Sequence, residues 1–384
     1  MDYKMVKLGT VISQAKNIRC GEHNYPVLSM TMHDGLIFQD DKFKKVIASA
    51  NRSEYKVVYR NQLVVSFPID EGVLAAQRIT DVGIVSPAYT IWDIDQAKIL
   101  PEFLEYALRC DRSINYYKAK LRGSTARRRS LPTPTLLEHT IPLPAIDAQR
   151  YILEIIHKSR NVLETRKIQL QKLDMLVRAR FVEMFGDENN SKNWNVVNVE
   201  DVADVQVGVV IKPSQYYTDE SEGVRAFRSL NIGAGFIKDI DWVYFTKEGH
   251  LKNSKSILKE NDLLIVRSGA PGTACVVTEE YAGCNAVDII IAHPDCEKVN
   301  PYYLCTFTNM PHGKKQIDEG IGGAAQQHFN VGKYNKLQLM LPPKTLQDEF
   351  GDFINQVDKS KDSVQKALDE AQLLFDSLMQ QYFG

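Results

Sequence analysis

The sequence predicts an α+β protein in which one plan is used twice. Two tandem α/β globular segments, 1–144 and 187–342, are separated by two long helices, 145–186 and 343–384, that pair as a coiled coil with a pseudo-twofold internal repeat. Three observations predict it. Leu143-Pro144, Gln149 and Phe185-Gly186 return as Leu341-Pro342, Gln347 and Phe383-Gly384, each 198 residues later without a gap. Between the Gln and the Phe-Gly, both copies carry a long helical pattern. In front of each helix, the two globular segments share their apolar strand and turn positions.

The first globular segment opens with a short strand-like run, Met5 to Ile12. Lys56 to Phe67 (KVVYRNQLVVSF) is rich in β-branched and aromatic residues, which suits a strand pair or one long strand. Gly83 to Ile94 reads as another. Pro101 to Lys120 then looks helical, with Pro101 at a first-turn position. From Arg109 to Arg129 the chain carries Arg109, Arg112, Lys118, Lys120, Arg122, Arg127, Arg128 and Arg129 against one acid, Asp111. A charge run is usually a solvated face. Here Gly123-Ser124-Thr125 makes a flexible loop beside three consecutive arginines, donors suited to phosphates and guanine edges.

The helical pattern has a supercoiling period. Residues spaced alternately four and three apart lie on one stripe. In the first copy the stripe is Ile152, Ile156, Ser159, Leu163, Arg166, Leu170, Leu173, Val177, Arg180 and Met184. In the second it is Phe350, Ile354, Val357, Lys361, Val364, Leu368, Ala371, Phe375, Leu378 and Tyr382. A helix of roughly 40 residues is about 60 Å long, so an isolated stripe would stay wet and each helix needs a partner. Asp147 and Thr345, also 198 apart, stand where a side-chain oxygen would cap the helix start. Packing of each helix on its own domain alone is the plainer alternative. The shared length and register favour the pair.

Gly186 to Trp194 is a polar, turn-rich linker. The second segment then replays the first. Val196 to Ala203 mirrors Met5 to Ile12 at an offset of 191, and Asn261 to Val266 mirrors Asn61 to Ser66 at 200. Gly283 to Ile291 and Pro301 with Leu304 follow at the same offset of 200. Gly322 to Phe329 (GGAAQQHF) takes the place of Ser124 to Leu131 (STARRRSL). The long polar stretches between these positions have diverged, so one scaffold presents two different sets of exposed loops.

Composition bounds the chemistry. A hydrophobic content of 44% over 384 residues permits real cores, and a net charge of −1 leaves only local basic surfaces. Cys20, Cys110, Cys275, Cys284, Cys296 and Cys305 form no C-x-x-C pair, and no His spacing completes a zinc site, so reduced thiols and no metal are expected. The start of the chain has no apolar signal core and there is no 18-residue apolar run. The expectation is a cytoplasmic, non-membrane protein.

Catalytic patterns are missing from this reading. Asn300-Pro301-Tyr302-Tyr303 is close to the base-holding motif of adenine methyltransferases but lacks the second proline. Its counterpart is Leu100-Pro101-Glu102-Phe103, so the shared proline reads as a helix start. Gly320 to Gly323 lacks the Lys-Ser/Thr of a phosphate cradle. Asp295-Cys296-Glu297-Lys298 is a poor nuclease cluster, and Ser268-Gly269 has no base at a spacing that sequence can support. The expectation is a binding protein without catalytic residues.

NDLLIVRSGAPGT (Asn261 to Thr273), RGSTARRRSL (Arg122 to Leu131), FVEMFGDENNSKNW (Phe181 to Trp194) and the doubled Leu-Pro-x4-Gln–helix–Phe-Gly pattern together resemble the specificity subunit of a Type I restriction–modification system. The resemblance runs over the whole chain. It implies that segments 1–144 and 187–342 are target recognition domains, each reading half of an asymmetric, split double-stranded DNA site. The two long coiled-coil helices would lie antiparallel and act as a ruler between them. It implies two methyltransferase subunits and restriction/translocase subunits as partners, which would bind S-adenosylmethionine, ATP and Mg, leaving this chain without a cofactor. Carried onto this sequence, the DNA-binding residues would be Ser124, Thr125, Arg127, Arg128, Arg129, Arg267, Ser268, Gln326, Gln327 and His328. The first half departs at the Arg267 loop: Ser66-Phe67-Pro68-Ile69-Asp70 stands where the second has Val266-Arg267-Ser268-Gly269-Ala270. Alternatives are the specificity subunit of a Type IIB-like system and a coiled-coil scaffold that binds no DNA.

Overall fold

The computed structural model describes residues 3–32, 34–42, 52–121, 131–320 and 329–384. Two helices of 40 residues, Ile146–Phe185 and Lys344–Phe383, dominate it. The chain divides into two compact units, Met1–Lys167 with Lys366–Gly384, and Ile168–Gln365. The division falls within both long helices, so each unit holds one globular segment and half of each helix.

In the first unit, strand Met5–Lys7 pairs antiparallel with Thr140–Pro142 and brings the start of the segment beside its exit into the long helix. The central sheet has the order Ile12–Gln14, Thr90–Ile94, Leu63–Val65, Leu74–Ala76, antiparallel throughout. The helix pair Pro101–Arg109 and Asp111–Lys120 covers it, burying Trp92, Phe103, Leu104 and Tyr117. Lys56 to Phe67 is two strands, Lys56–Tyr59 and Leu63–Val65, and they belong to different sheets. Asn61, in the left-handed region at φ 67°, makes the turn between them.

The second unit repeats the plan. Asn195–Asn198 pairs with Gln338–Leu341, and the central sheet runs Ala203–Val207, Ile289–Pro294, Leu263–Val266, Ala274–Val276. Register is kept as well as order: Ile12 opposes Ile94, and Ala203 opposes Pro294. Asn261 makes the same left-handed turn at φ 70°. Helices Pro301–Asn309 and Pro311–Gly320 cover the sheet. The shared proline therefore starts a helix in both units, and Asn300 caps the second by accepting from the N–H groups of Tyr302 and Tyr303.

All ten stripe residues of each long helix are buried or half-buried, as the 3.5-residue period demands. In the first unit the start of one helix lies beside the end of the other, Ile152 and Ile156 clustering with Phe375, Leu378 and Tyr382. In the second unit the opposite ends meet, Phe181, Met184 and Phe185 with Phe350 and Ile354. The helices are thus antiparallel in each unit. Two polar stripe positions have charged or aromatic partners, Lys361 reaching Asp174 at 2.7 Å and Arg180 lying 5.9 Å over the Phe353 ring, whereas the Ser159 hydroxyl is buried without a hydrogen-bond partner. The expected caps are corrected. The helices begin at Ile146 and Lys344, so Asp147 and Thr345 are already in the first turn, and the Asp147 carboxylate accepts instead from Arg150 at 2.9 Å.

The repeated glutamine has a structural job. Gln149, fully buried, accepts from the Leu100 N–H at 2.8 Å and donates to the Pro144 and Lys98 carbonyls at 2.8 and 2.9 Å. Gln347 accepts from the Asn300 N–H at 2.9 Å and donates to the Pro342 carbonyl at 2.8 Å. One amide thereby ties the start of each long helix to the strand exit and helix entry of the globular segment before it.

The Phe-Gly ends cross over. Phe185 packs its ring on Tyr303 at 4.6 Å and on Phe350 at 5.4 Å in the second unit. Phe383 packs on Phe103 at 5.0 Å in the first. Each long helix starts on the segment that precedes it and ends in the core of the other unit.

Candidate nucleic-acid interface

In the second unit, strands Ala203–Val207 and Leu263–Val266 both run antiparallel to Ile289–Pro294. Their exits therefore lie at one end of the sheet, beside Asp288. Arg267 follows there. Its Nη1 donates to the Asp288 carboxylate at 2.5 Å, its Nε donates to the Phe329 carbonyl at 3.3 Å, and its own carbonyl accepts from the Phe329 N–H at 3.1 Å. The side chain is only 17% exposed. Arg267 thus fixes the chain at Phe329, whose ring is buried. Asp288 sits in the left-handed region at φ 50°, which aims its carboxylate at the guanidinium.

The Ser268–Thr273 turn is braced from below. Lys314 donates to the Pro271 carbonyl at 2.6 Å, and the Asn309 side chain bonds both the N–H and the carbonyl of Ala274. Burial holds the Lys314 ammonium below its ordinary pKa. Ser268 lines a cavity of about 320 Å³ together with Ser229, Gly233, Lys238 and Thr273. A second cavity, of about 440 Å³, opens beside Phe329 and Asn330 with Lys333 and Lys336 on its wall. Cationic side chains thus flank this end of the sheet from several elements.

The equivalent place in the first unit is built differently. Phe67 stands at the position of Arg267 and is 47% exposed. It borders an apolar cavity of about 140 Å³ with Trp92, Leu131 and Leu136. Upstream, Arg109 is engaged by Glu105 at 3.2 Å and by the Met32 carbonyl, and Arg112 donates to Thr140 Oγ1 at 3.2 Å. These two members of the basic run brace the fold, whereas Lys118 and Lys120 are exposed. Of the expected DNA-binding residues, the structure places Arg267 and Ser268 together. Ser124, Thr125, Arg127, Arg128, Arg129, Gln326, Gln327 and His328 lie outside the described residues. Sequence reading missed Asp288 and Phe329, whose roles depend on strands far apart in the chain.

Among the described residues, no helix is long and apolar enough to cross a membrane. Five of the cysteines are buried, and Cys296 is exposed.

Residues 191–372 match the Type I restriction modification DNA specificity domain. That is the second half of an internally repeated chain, and the first half has the same sheet order. The second half of this chain is similar to that domain. Relatives include the Type I restriction enzyme MjaVIII specificity subunit of Methanocaldococcus jannaschii, 23% identical over 257 residues, which are 59% of this chain and 59% of the relative. The EcoBI specificity subunit of Escherichia coli is 19% identical over 281 residues, 67% of this chain and 59% of the relative. The chain thus spans less than two thirds of the length of either relative. Among solved structures, a chain from work on assembly and conformational transition of the type I R-M system superposes with a TM-score of 0.61 at 16% identity, covering 99% of this chain and 97% of that one. The Type-I restriction-modification system S subunit from M. genitalium gives 0.54 at 14% identity, covering 100% and 96%. These two likenesses show a shared fold.

Proposed function

We propose that this chain is the DNA sequence-recognition subunit of a Type I restriction–modification complex. It binds an asymmetric, bipartite double-stranded site and directs N6-adenine methylation, and restriction, by partner subunits. The observation that carries the reading is the duplicated scaffold with unlike sheet ends: an Arg267–Asp288 pair in one unit and an exposed Phe67 in the other. Two equal frames holding different side chains suit two different half-sites. The paired long helices suit a ruler that sets the half-sites about one helical turn, ~34 Å, apart.

In this reading the chain holds DNA and does no chemistry. Two methyltransferase subunits supply S-adenosylmethionine and the pocket for a flipped adenine, and the motor–nuclease subunits bind ATP and Mg. Binding of a bipartite duplex by the chain purified with its methyltransferase partner tests this. Affinity should fall steeply with salt, and replacing Arg127, Arg128 and Arg129 by alanine should weaken it without unfolding the chain. A complex that ignores DNA at physiological salt would leave only the scaffold reading.

A further inference from the structure

Sequence reading passed over the segment that leaves strand Ala203–Val207. The sheet directs it to the same end as Arg267, since Val207 opposes Ile290 and Val266 opposes Ile289. Its first residues are locked. The Gly208 N–H donates to the Ile289 carbonyl at 2.9 Å, and the Val209 N–H donates to the Ala286 carbonyl at 2.8 Å. A Cβ at Gly208 would lie 2.3 Å from the Ala286 oxygen, so only glycine allows this approach. The far side is locked as well: Pro213–Tyr216 forms a tight turn, and the Thr246 N–H donates to the Tyr216 carbonyl at 2.8 Å.

Between these anchors the chain presents Val210, 47% exposed, Ile211, 80% exposed, and Lys212, in the left-handed region at φ 43°. A single exposed isoleucine is ordinary. Here it is held by backbone bonds on both sides, next to a lysine, at a sheet end already bearing Arg267, Ser268 and Lys238. The first unit repeats the combination with other residues. The Ala15 N–H donates to the Ile91 carbonyl at 3.0 Å, after which Lys16 and Ile18 are both exposed, Ile18 at 41%.

We propose that Val210–Lys212 is a base-contacting element of the second domain. Ile211 reads the C5-methyl group of a thymine in the groove, and Lys212 neutralises a neighbouring phosphate. The proposal rests on the DNA-recognition reading. An apolar side chain held at a sheet end cannot hydrogen-bond a base edge, and the thymine methyl is the apolar mark that the major groove offers.

The test uses the full chain purified with its methyltransferase partner, and a duplex carrying the motif found by modification-sensitive sequencing. Each thymine of the second half-site is replaced in turn by deoxyuridine, which removes the methyl group alone. Wild type should lose about fivefold or more in affinity at one of these thymines. Ile211→Ala should be equally weakened for the natural duplex and indifferent to that deoxyuridine. Lys212→Ala should keep the motif and lower the slope of log affinity against log salt by about 0.9. Ile211 is almost fully solvated, so the Ile211→Ala fold is preserved. If wild type and Ile211→Ala respond alike to every deoxyuridine, or if the second half-site contains no thymine, the proposal is overturned while DNA recognition stands. If the wild-type complex binds no duplex with preference, the recognition reading itself has failed and this proposal with it.

Discussion

The two units share an inner layer and differ in the outer one. Inside, four strands follow one order and one register, and buried Gln149 and Gln347 make the same amide contacts. Outside, the first unit has two separate pairs, Leu28–Thr31 with Gly35–Phe38 and Lys56–Tyr59 with Val82–Val85. The second has a four-stranded sheet, Tyr217–Thr218, Val243–Phe245, Val224–Phe227 and Asn285–Ala286, with one parallel pair. The difference teaches which part of the plan is constrained by packing. The inner layer buries the apolar face and must keep its geometry, because close-packed interiors tolerate little change in shape. Even there, chemistry can change hands. Gln62 donates to Asp93 at 2.6 Å in the first sheet, and Asp262 holds His293 at 2.5 Å in the corresponding place of the second.

The largest expected effect tests the crossing of the helix ends. Phe185→Ala should destabilise the second unit, and Phe383→Ala the first, by about 3–5 kcal/mol each. Hydrogen exchange resolved by peptide measures this. Protection lost in the first unit on Phe185→Ala would break the comparison.

The next effect separates the units by pH. His139 is buried against Ser113 and the Tyr116 ring, and burial, with Arg112 nearby, lowers its pKa to about 4. A histidine that must stay neutral when folded binds more protons unfolded. Stability of the first unit is therefore full above about pH 6.5 and falls as pH drops toward 4, by up to about 3 kcal/mol. Position 139 repeats as Leu337, so the second unit lacks this group. It has buried His312 instead, whose pKa burial also lowers, so its stability falls in the same direction. Denaturant melts across pH, read from Trp92 in a variant with Trp194 and Trp242 replaced by phenylalanine, isolate the first unit. A melt independent of pH between 6.5 and 4.5 would refute the His139 assignment.

Gln149→Ala and Gln347→Ala come third. Each strands a buried N–H and carbonyl, which costs about 1–3 kcal/mol. Equal losses in denaturant titrations would support equivalent roles, and a loss in only one would show that the repeat is formal. The smallest effect belongs to Gly186→Ala. Gly186 has φ 90°, and an added Cβ would meet Ser191 Oγ at 2.7 Å, so a loss of about 1 kcal/mol is expected in the second unit alone. An unchanged melting temperature would contradict it.

Much of this architecture was legible in the sequence. Gapless spacing marked the duplication, and the 3.5-residue stripes matched burial because a helix pair leaves one face dry. The caps were misread because a polar residue in the first turn resembles one just before it. Of the outer layers, Lys56–Tyr59 and Val82–Val85 coincide with runs read as strands, whereas Leu28–Thr31, Gly35–Phe38, Tyr217–Thr218, Val224–Phe227 and Val243–Phe245 were not foreseen, since those stretches diverge between the halves and offer no repeat to compare. Arg109 and Arg112 read as free charge, but Glu105 one turn away on the same helix and tertiary contacts with the Met32 carbonyl and Thr140 occupy them. The sheet end was illegible for a related reason. Ile211, Arg267, Asp288 and Phe329 are distant in the chain, and the strand order alone brings them together.

The most direct test of a duplicated scaffold reading a split site is modification-sensitive long-read sequencing of host DNA with and without this gene, the methyltransferase partner left intact. The account predicts loss of N6-methyladenine from one asymmetric, gapped motif. Retention of every methylated motif while the partner remains active would contradict it.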